Sequence, residues 1–192
     1  MDYHLYIQDH LDSITPDELE RAIASLPPWR REKALRFKHE QGRKECTFAY
    51  LLLCQALQQV YGIAEPPLFA IGEHGKPTLA SHPAIHFNLS HCRQAIACVV
   101  ADHPVGIDVE SIGRGNEDLA RHVLNDHELA TMHTAPDPSL AFTRFWTQKE
   151  AIVKFTGRGI DDDLKSLLTK YPHVHLHTEE HPQQGYVLTV AD

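Results

Sequence analysis

The sequence lacks the features that would place a protein in a membrane or outside the cell. None of its apolar runs reaches the roughly 18 residues that a transmembrane helix needs. Residues 1–4 contain neither the basic segment nor the apolar core of a signal peptide. The four cysteines show no Cys-x-x-Cys spacing, which predicts reduced thiols rather than a disulfide or zinc framework. We therefore expect a cytoplasmic protein without a membrane segment.

Positive charge is also scarce. The chain has 18 Lys and Arg residues against 26 Asp and Glu residues, a formal net charge of −8, which argues against general nucleic-acid binding. Basic residues nevertheless concentrate in one stretch, between Arg30 and Lys44. A basic stretch in an acidic chain predicts a local anion site, although a solvated helix face balanced by neighbouring glutamates would give the same pattern.

The order of helical and alternating segments predicts an α+β fold. Helices are expected to begin at Thr15-Pro16, to run from about Pro28 to Glu40, and to resume after an interruption at Gly42. Alternating or apolar segments predict strands at 3–8, 85–89, 95–100, 105–110, 173–177 and 186–190. A weak similarity between the earlier and later strand pairs predicts two related α+β subdomains, at residues 1–102 and 103–192.

A helix is predicted from residue 145 to residue 156, and Gly157 would end it. Lys149 falls within its apolar arc, Glu150 lies at the edge of that arc, and Lys154 follows one turn later. A lysine in an apolar stripe needs a partner for its ammonium group or must extend it to solvent. The segment is therefore either a core helix with a surface Glu150–Lys154 pair or part of a functional site.

The strand at 105–110 places two carboxylates, Asp108 and Glu110, on one face. They repel each other unless water screens them, as on a solvated strand face, or a cation lies between them. Together with Glu150 they could supply three oxygen ligands, which suits Mg²⁺.

Polar residues also gather where a turn and a strand end. Gly75, Lys76 and Pro77 form a turn that precedes a strand. Ser90 and His91 lie where the strand predicted at 85–89 stops. The hydroxyl and imidazole groups could bind an anion, although ordinary turn chemistry would account for them as well.

Four motifs in order along the chain, at residues 75–77, 87–91, 105–110 and 145–154, resemble the surfactin-type 4′-phosphopantetheinyl transferases, and the similarity covers about residues 28–160. The resemblance implies a pseudo-dimer of two similar α+β subdomains, acting as a monomer, with coenzyme A in the cleft between them. It implies transfer of 4′-phosphopantetheine to a serine of an apo acyl or peptidyl carrier protein, with Mg²⁺ required and adenosine 3′,5′-bisphosphate released. Whether the carrier serves fatty-acid, polyketide or non-ribosomal peptide synthesis stays open.

The resemblance also implies residue roles. The metal ligands would be Asp108, Glu110 and Glu150, with Glu128 at the edge of the site, where it could act through water. Asp108, Glu150 and Lys154 would be catalytic, with Glu150 as the base, directly or through a metal-bound water. The coenzyme A contacts would be Arg31, Lys33, Arg36, Gly75, Lys76, Pro77, Ser90, His91, Lys149 and Lys154. Among the basic residues, the one that meets the 3′-phosphate is undecided.

Two other functions remain possible at this point. A non-catalytic coenzyme A or nucleotide-binding module would keep the basic stretch but would not need three carboxylates. A metal-binding protein is suggested by His173, His175 and His177, which alternate along one predicted strand, although an exposed histidine face explains them equally. For carrier docking, we expect the segment 112–132 to contribute Arg114, Arg121 and one or two exposed apolar residues, although packing within its own subdomain would explain the segment equally.

Overall fold

The structure, a computed structural model, describes residues 2–72, 74–113, 115–158 and 163–192. Across these ranges, no helix is both long enough and apolar enough to cross a membrane. Helices and antiparallel strands are mixed along the chain, and the predicted α+β class is confirmed.

The first half begins with strand β1 (Tyr3–Asp9), followed by helices α1 (Pro16–Ser25), α2 (Pro28–Leu35) and α3 (Glu40–Tyr61). Helix α1 begins where the sequence predicts, because Thr15 and Glu18 form a reciprocal capping box and Pro16 occupies the first turn.

The expected interruption at Gly42 is wrong. Helix α2 ends at Leu35, and Gly42 lies inside α3. The glycine accommodates the ring of Phe37, because a Cβ atom at position 42 would lie 2.7 Å from the Cδ1 atom of that ring.

Helix α3 packs on a three-stranded antiparallel sheet with the order β1-β5-β4, in which β4 spans His86–His91 and β5 spans Ala95–Ala101. Strand β5 is buried along its whole length, as a central strand covered on both faces should be. A short hairpin of β2 (Phe69–Ile71) and β3 (Pro77–Leu79) precedes this pair and carries the Gly75-Lys76-Pro77 turn.

The second half repeats this arrangement of a helix on three strands. Its sheet has the order β6-β8-β7, with β6 at Gly106–Ser111, β7 at Leu176–His181 and β8 at Tyr186–Ala191. Helices α4 (Glu117–Val123), α5 (Asp126–Thr134), α6 (Pro138–Thr156) and α7 (Leu167–Lys170) accompany it. Strand β7 begins later than the predicted 173–177, because the backbone still turns at Val174, whose N–H donates to the Tyr171 carbonyl.

The two sheets meet through a common apolar layer. Residues of β5 on one side and of β6 and β8 on the other form one buried cluster, which includes Val99, Ile107 and Leu188. The matching three-stranded sheets accord with the expected pseudo-dimer, while the division at residues 102 and 103 stays a prediction.

Gly106 permits a close approach between β6 and helix α6. A Cβ atom at this position would lie 2.2 Å from the carbonyl oxygen of Ala151 and 2.4 Å from the backbone nitrogen of Phe155. The strand that carries Asp108 therefore lies directly against the helix that carries Glu150 and Lys154.

Candidate active site

Strands β4 and β6 come from different sheets and are joined by side chains of β4. The Oδ1 atom of Asn88 accepts the N–H of Ile107 at 3.0 Å, and the Oγ atom of Ser90 accepts the N–H of Val109 at 3.2 Å. Side chains two residues apart on β4 thus bind backbone groups two residues apart on β6. These two hydrogen bonds, which we call the β4–β6 junction, fix the position of Asp108 on β6 relative to Ser90 on β4.

Asp108 lies at the centre of a polar cluster. Its Oδ1 atom accepts hydrogen bonds from the Lys154 ammonium at 2.6 Å and from the Ser90 hydroxyl at 3.0 Å. The residue is only 3% exposed, and burial raises the pKa of its carboxyl group, an effect that Lys154 opposes. Its Oδ2 atom is buried and has no hydrogen-bond partner.

Glu150 and Glu110 add negative charge to the same region. Burial first, and the nearby Asp108 and Glu110 carboxylates next, raise the pKa of Glu150, while Lys154 again acts in the opposite direction. Glu110 accepts a hydrogen bond from the indole Nε1–H of Trp146 at 3.3 Å. The structure therefore brings all three predicted carboxylates within electrostatic reach of one another and of Lys154.

The site has features that fit a divalent cation. A buried carboxylate oxygen without a partner and repulsion among three acids would both be relieved by a bound cation. Among the residues that the structure describes, however, no three His, Cys, Asp or Glu side chains are arranged to hold a metal ion by themselves. Mg²⁺ does not need such a group, because it typically binds to one or two carboxylates and completes its shell with water and substrate phosphate oxygens.

Lys149 makes its contacts away from this cluster, so the structure does not bring it to the other predicted coenzyme A residues. Its side chain is completely buried, and its ammonium group pairs with Glu128 Oε2 at 2.9 Å and donates to the Leu164 carbonyl at 2.8 Å. Glu128 also belongs to a capping box with Asn125 at the start of α5. The pair joins α5, α6 and the turn at 164–165. Glu128, like Lys149, therefore makes these contacts away from the carboxylate cluster.

Lys76 has a different environment from the one expected of a phosphate ligand. Its ammonium group donates to the carbonyl oxygens of Lys154 at 2.5 Å, Val105 at 3.0 Å and Phe155 at 3.3 Å. Burial lowers the pKa of this ammonium group. Two of these carbonyls lie at the C-terminal end of α6, where the helix dipole favours a cation. Through these hydrogen bonds, Lys76 joins the β2–β3 turn to that helix.

A cavity of about 460 Å³ adjoins this turn and is lined in part by predicted coenzyme A residues. Four of them line it: Lys33, Gly75, Pro77 and His91. Arg30 lines it as well; it is buried over the Tyr50 ring at 5.1 Å, donates to the Cys46 carbonyl, and has an Nε atom without a partner. A second cavity of about 280 Å³ lies between the turn and Lys154.

The other basic candidates lie elsewhere. Arg31 donates to the carbonyl oxygens of Ala24 and Leu26 and lines a groove beside α1. Arg36 is exposed and pairs with Glu32. The structure therefore does not bring Arg31 or Arg36 to this cavity, and their assignment to coenzyme A stays a prediction.

The predicted docking segment is partly core. Val123, Leu124 and Met132 are buried, and Arg121 is exposed in an ion pair with Glu117. Arg114 lies outside the described residues. The histidine face is occupied by carboxylates: His175 pairs with Asp192 and His177 with Glu179.

Two contributors were not predicted. The indole N–H of Trp146 donates to Glu110, on the neighbouring strand β6. The side-chain oxygen of Asn88 accepts a backbone N–H of β6. The signal for Asn88 was its alternation with Ser90, which places both side chains on the same face of β4.

Comparison with known proteins gives one consistent result. A family model described as the 4′-phosphopantetheinyl transferase superfamily matches residues 104–191. A 4′-phosphopantetheinyl transferase of Bacillus subtilis is 30% identical over 156 residues, which cover 80% of this chain and 70% of the relative. The 4′-phosphopantetheinyl transferase AcpT of Escherichia coli strain K12 is 39% identical over 143 residues, covering 71% and 68%. The 4′-phosphopantetheinyl transferase Sfp of Bacillus subtilis strain 168 is 26% identical over 156 residues, covering 80% and 70%.

Proposed function

This chain belongs to the 4′-phosphopantetheinyl transferase superfamily, and from that premise we propose that it moves the 4′-phosphopantetheine group of coenzyme A onto a serine of an apo acyl or peptidyl carrier protein. The observation that carries the proposal is the cluster of Asp108, Lys154 and Glu150 between the two sheets, together with two cavities that share the Gly75–Pro77 turn, one lined by Lys33 and the other by Lys154. A non-catalytic coenzyme A binding module finds no support, since the relatives compared above are all named as transferases.

The cavity of about 460 Å³ is proposed to receive the adenosine 3′-phosphate end of coenzyme A. Its volume is in the range of small-molecule sites, and Lys33 and His91 line it as possible phosphate partners. The diphosphate would then extend past the β2–β3 turn to Lys154, along the second cavity, which Lys76 and Lys154 line.

Asp108, Glu110 and Glu150 are proposed to hold Mg²⁺ together with oxygens of the substrate. When bound, the ion would neutralise charge on the diphosphate. The remaining chemistry belongs to the chain's own side chains.

Glu150 is proposed as the base that takes the proton of the carrier serine. Burial and its acidic neighbours raise its pKa, which makes its carboxylate a better proton acceptor than an exposed one. The serine oxygen forms a bond to the β-phosphorus, and the bond from that phosphorus to the leaving oxygen breaks. Lys154 would meet the negative charge that grows on adenosine 3′,5′-bisphosphate as it leaves.

The carrier protein is proposed to dock on the segment 112–132, through Arg121 and the half-buried apolar side chains of Ile112, Leu119 and Leu129. The chain is proposed to act as a monomer in the cytoplasm, since both halves of the site lie on one chain and its four cysteines are free thiols.

Intact-protein mass spectrometry tests the proposal. Apo carriers of the fatty-acid, polyketide and non-ribosomal peptide types are incubated with the protein, coenzyme A and Mg²⁺. A carrier that gains the mass of one phosphopantetheine group supports the activity and ranks the partners. Unchanged masses for all three types would refute it.

A further inference from the structure

A buried series of hydrogen bonds crosses the contact between helix α6 and the β6-β8-β7 sheet. The Oγ1 atom of Thr147 on α6 lies 2.9 Å from that of Thr189 on β8, which lies 3.0 Å from that of Thr178 on β7. At one end, Thr147 donates to the Arg144 carbonyl at 3.0 Å. At the other end, the side-chain amide of Gln148 donates to Thr178 at 3.2 Å. We call these four hydrogen bonds the threonine clamp.

The direction of every hydrogen bond in the threonine clamp follows from its two ends. A hydroxyl group has one proton to donate, and a carbonyl oxygen can only accept. Because Thr147 gives its proton to the Arg144 carbonyl, it must accept from Thr189. Thr178 must then donate to Thr189 and accept from the amide N–H of Gln148. Each hydroxyl therefore donates once and accepts once, and removing any one of them leaves a neighbouring group without its partner.

The threonine clamp lies within a largely apolar contact. Thr147 and Thr189 are 0% exposed, and the buried side chains Ala151, Ile152 and Ala191 belong to the apolar core of the same half. Apolar burial is non-directional, so by itself it specifies the position of the helix along the sheet only weakly. Hydrogen bonds specify this position more sharply, because a buried polar group that loses its partner is destabilising.

A salt bridge continues the same pairing of α6 with β7 towards the surface. Arg144 on α6 pairs with Glu180 on β7. These residues lie four before Gln148 on the helix and two after Thr178 on the strand. Four residues of a helix rise about 6.0 Å and two residues of a strand about 6.6 Å, so the two contacts match along the helix and the strand. The helix is thereby tied at successive turns to β7.

The threonine clamp is in line with two acids of the proposed site. Across the sheet, Thr178 on β7, Thr189 on β8 and Asp108 on β6 are direct partners in one row. On the helix, Glu150 follows Thr147 by three residues, which is less than one turn. The clamp therefore holds α6 on the sheet at the level of both acids.

We propose that these three threonines are positioning residues: their hydroxyl groups set the position of α6 on the β6-β8-β7 sheet, and with it the distance between Glu150 and Asp108. A helix that slips by one residue moves about 1.5 Å, and an error of about 1 Å in a reacting group can cost on the order of 100-fold in rate. The inference rests on the proposed function. The two cavities proposed for coenzyme A are lined by other residues, so the clamp should affect turnover more than coenzyme A binding.

Valine and serine substitutions separate the hydroxyl group from the rest of the side chain. Thr189→Val keeps the shape of the side chain and removes the hydroxyl, while Thr189→Ser keeps the hydroxyl. Thr178→Val, at a half-buried position, breaks the same clamp and replaces Thr189→Val if that variant does not fold. Thr47→Val is the matched control, because Thr47 on α3 is also 0% exposed and its hydroxyl has no hydrogen-bond partner among the described residues. The control repeats the chemical change without breaking a hydrogen bond.

The first test is the NMR spectrum of the protein without substrate or metal, and it needs no activity. In Thr189→Val the side-chain amide signals of Gln148 should shift, because Thr178 loses its acceptor and is free to reorient. Thr189→Ser and Thr47→Val should leave these signals near their wild-type positions. Unchanged Gln148 amide signals in Thr189→Val, or in Thr178→Val if that variant is used, would overturn the proposal, whether or not the protein proves to be a transferase.

The second test separates a positioning role from a purely structural one. At a temperature where every variant is folded, the kcat of Thr189→Val should fall on the order of 10-fold while the KM for coenzyme A stays within about twofold of the wild type. Thr189→Ser and Thr47→Val should keep most of kcat. A lowered melting temperature with a wild-type kcat would make the clamp structural only and would overturn the proposal, as would a raised KM for coenzyme A with kcat retained. If the wild-type protein modifies no carrier, the proposed function fails, while the NMR test still decides whether the clamp holds α6.

Discussion

Replacing Lys149 by methionine tests the buried ion pair inside the second half. The Lys149 side chain is 0% exposed and the Glu128 side chain 5%, so neither charge is screened by water. Methionine nearly preserves the length of the lysine side chain but removes its charge, the partner of Glu128 and the donor to the Leu164 carbonyl.

The expected cost follows from that burial. Removing one partner of a buried pair leaves an uncompensated charge and costs about 3–5 kcal/mol, a large part of a total stability of about 5–15 kcal/mol. The double variant Lys149→Met with Glu128→Gln carries no buried charge, and glutamine can keep the capping box with Asn125. We expect it to regain at least about 2 kcal/mol over Lys149→Met alone.

Urea unfolding of the wild type, both single variants and the double variant measures this coupling. The pair is confirmed as buried and mutually dependent if each single variant is less stable than the double variant. A loss below about 1 kcal/mol in Lys149→Met, or strictly additive losses in the double variant, would refute the reasoning.

Two further predictions follow from the site and its supports. Gly106→Ala should give unstable protein with a lowered melting temperature, because its Cβ would meet the backbone of α6; an unchanged melting temperature would contradict the close approach. Lys33→Ala should weaken binding of coenzyme A more than of 3′-dephospho-coenzyme A in calorimetry, while Arg31→Ala, whose guanidinium binds backbone carbonyls, should not discriminate between them. If Lys33→Ala weakened the binding of both ligands equally, the cavity would not be the 3′-phosphate site.

Local signals in the sequence predicted those parts of the fold that depend on neighbouring residues. The start of α1 follows from Thr15, Pro16 and Glu18, which act within one turn. The continuation of α3 through Gly42 depends instead on the packing of Phe37, and the later start of β7 depends on a turn at Val174. The first depends on a side-chain contact five residues away and the second on a backbone hydrogen bond to the residue three positions earlier, and hydrophobic spacing predicts neither of them.

The site divides in the same way. Alternation along one strand predicted that Asp108 and Glu110 share a face, and helical spacing marked Lys149 as anomalous. The partner of Lys149 is Glu128, 21 residues earlier, and no pattern connects the two. The sequence likewise could not show that Asp108 meets Lys154, because that contact depends on how α6 lies across β6.

The central claim is that the carboxylates between the two sheets carry the transfer, and Glu150→Gln tests it most directly. The initial rate of carrier modification is measured by intact mass at saturating coenzyme A and Mg²⁺, with Glu20→Gln, a change at an exposed residue of α1, as the control. We expect the control to match the wild type and Glu150→Gln to be slower on the order of 100-fold, since about 3 kcal/mol of transition-state stabilisation is lost. A folded Glu150→Gln protein with a near-wild-type rate would contradict the account.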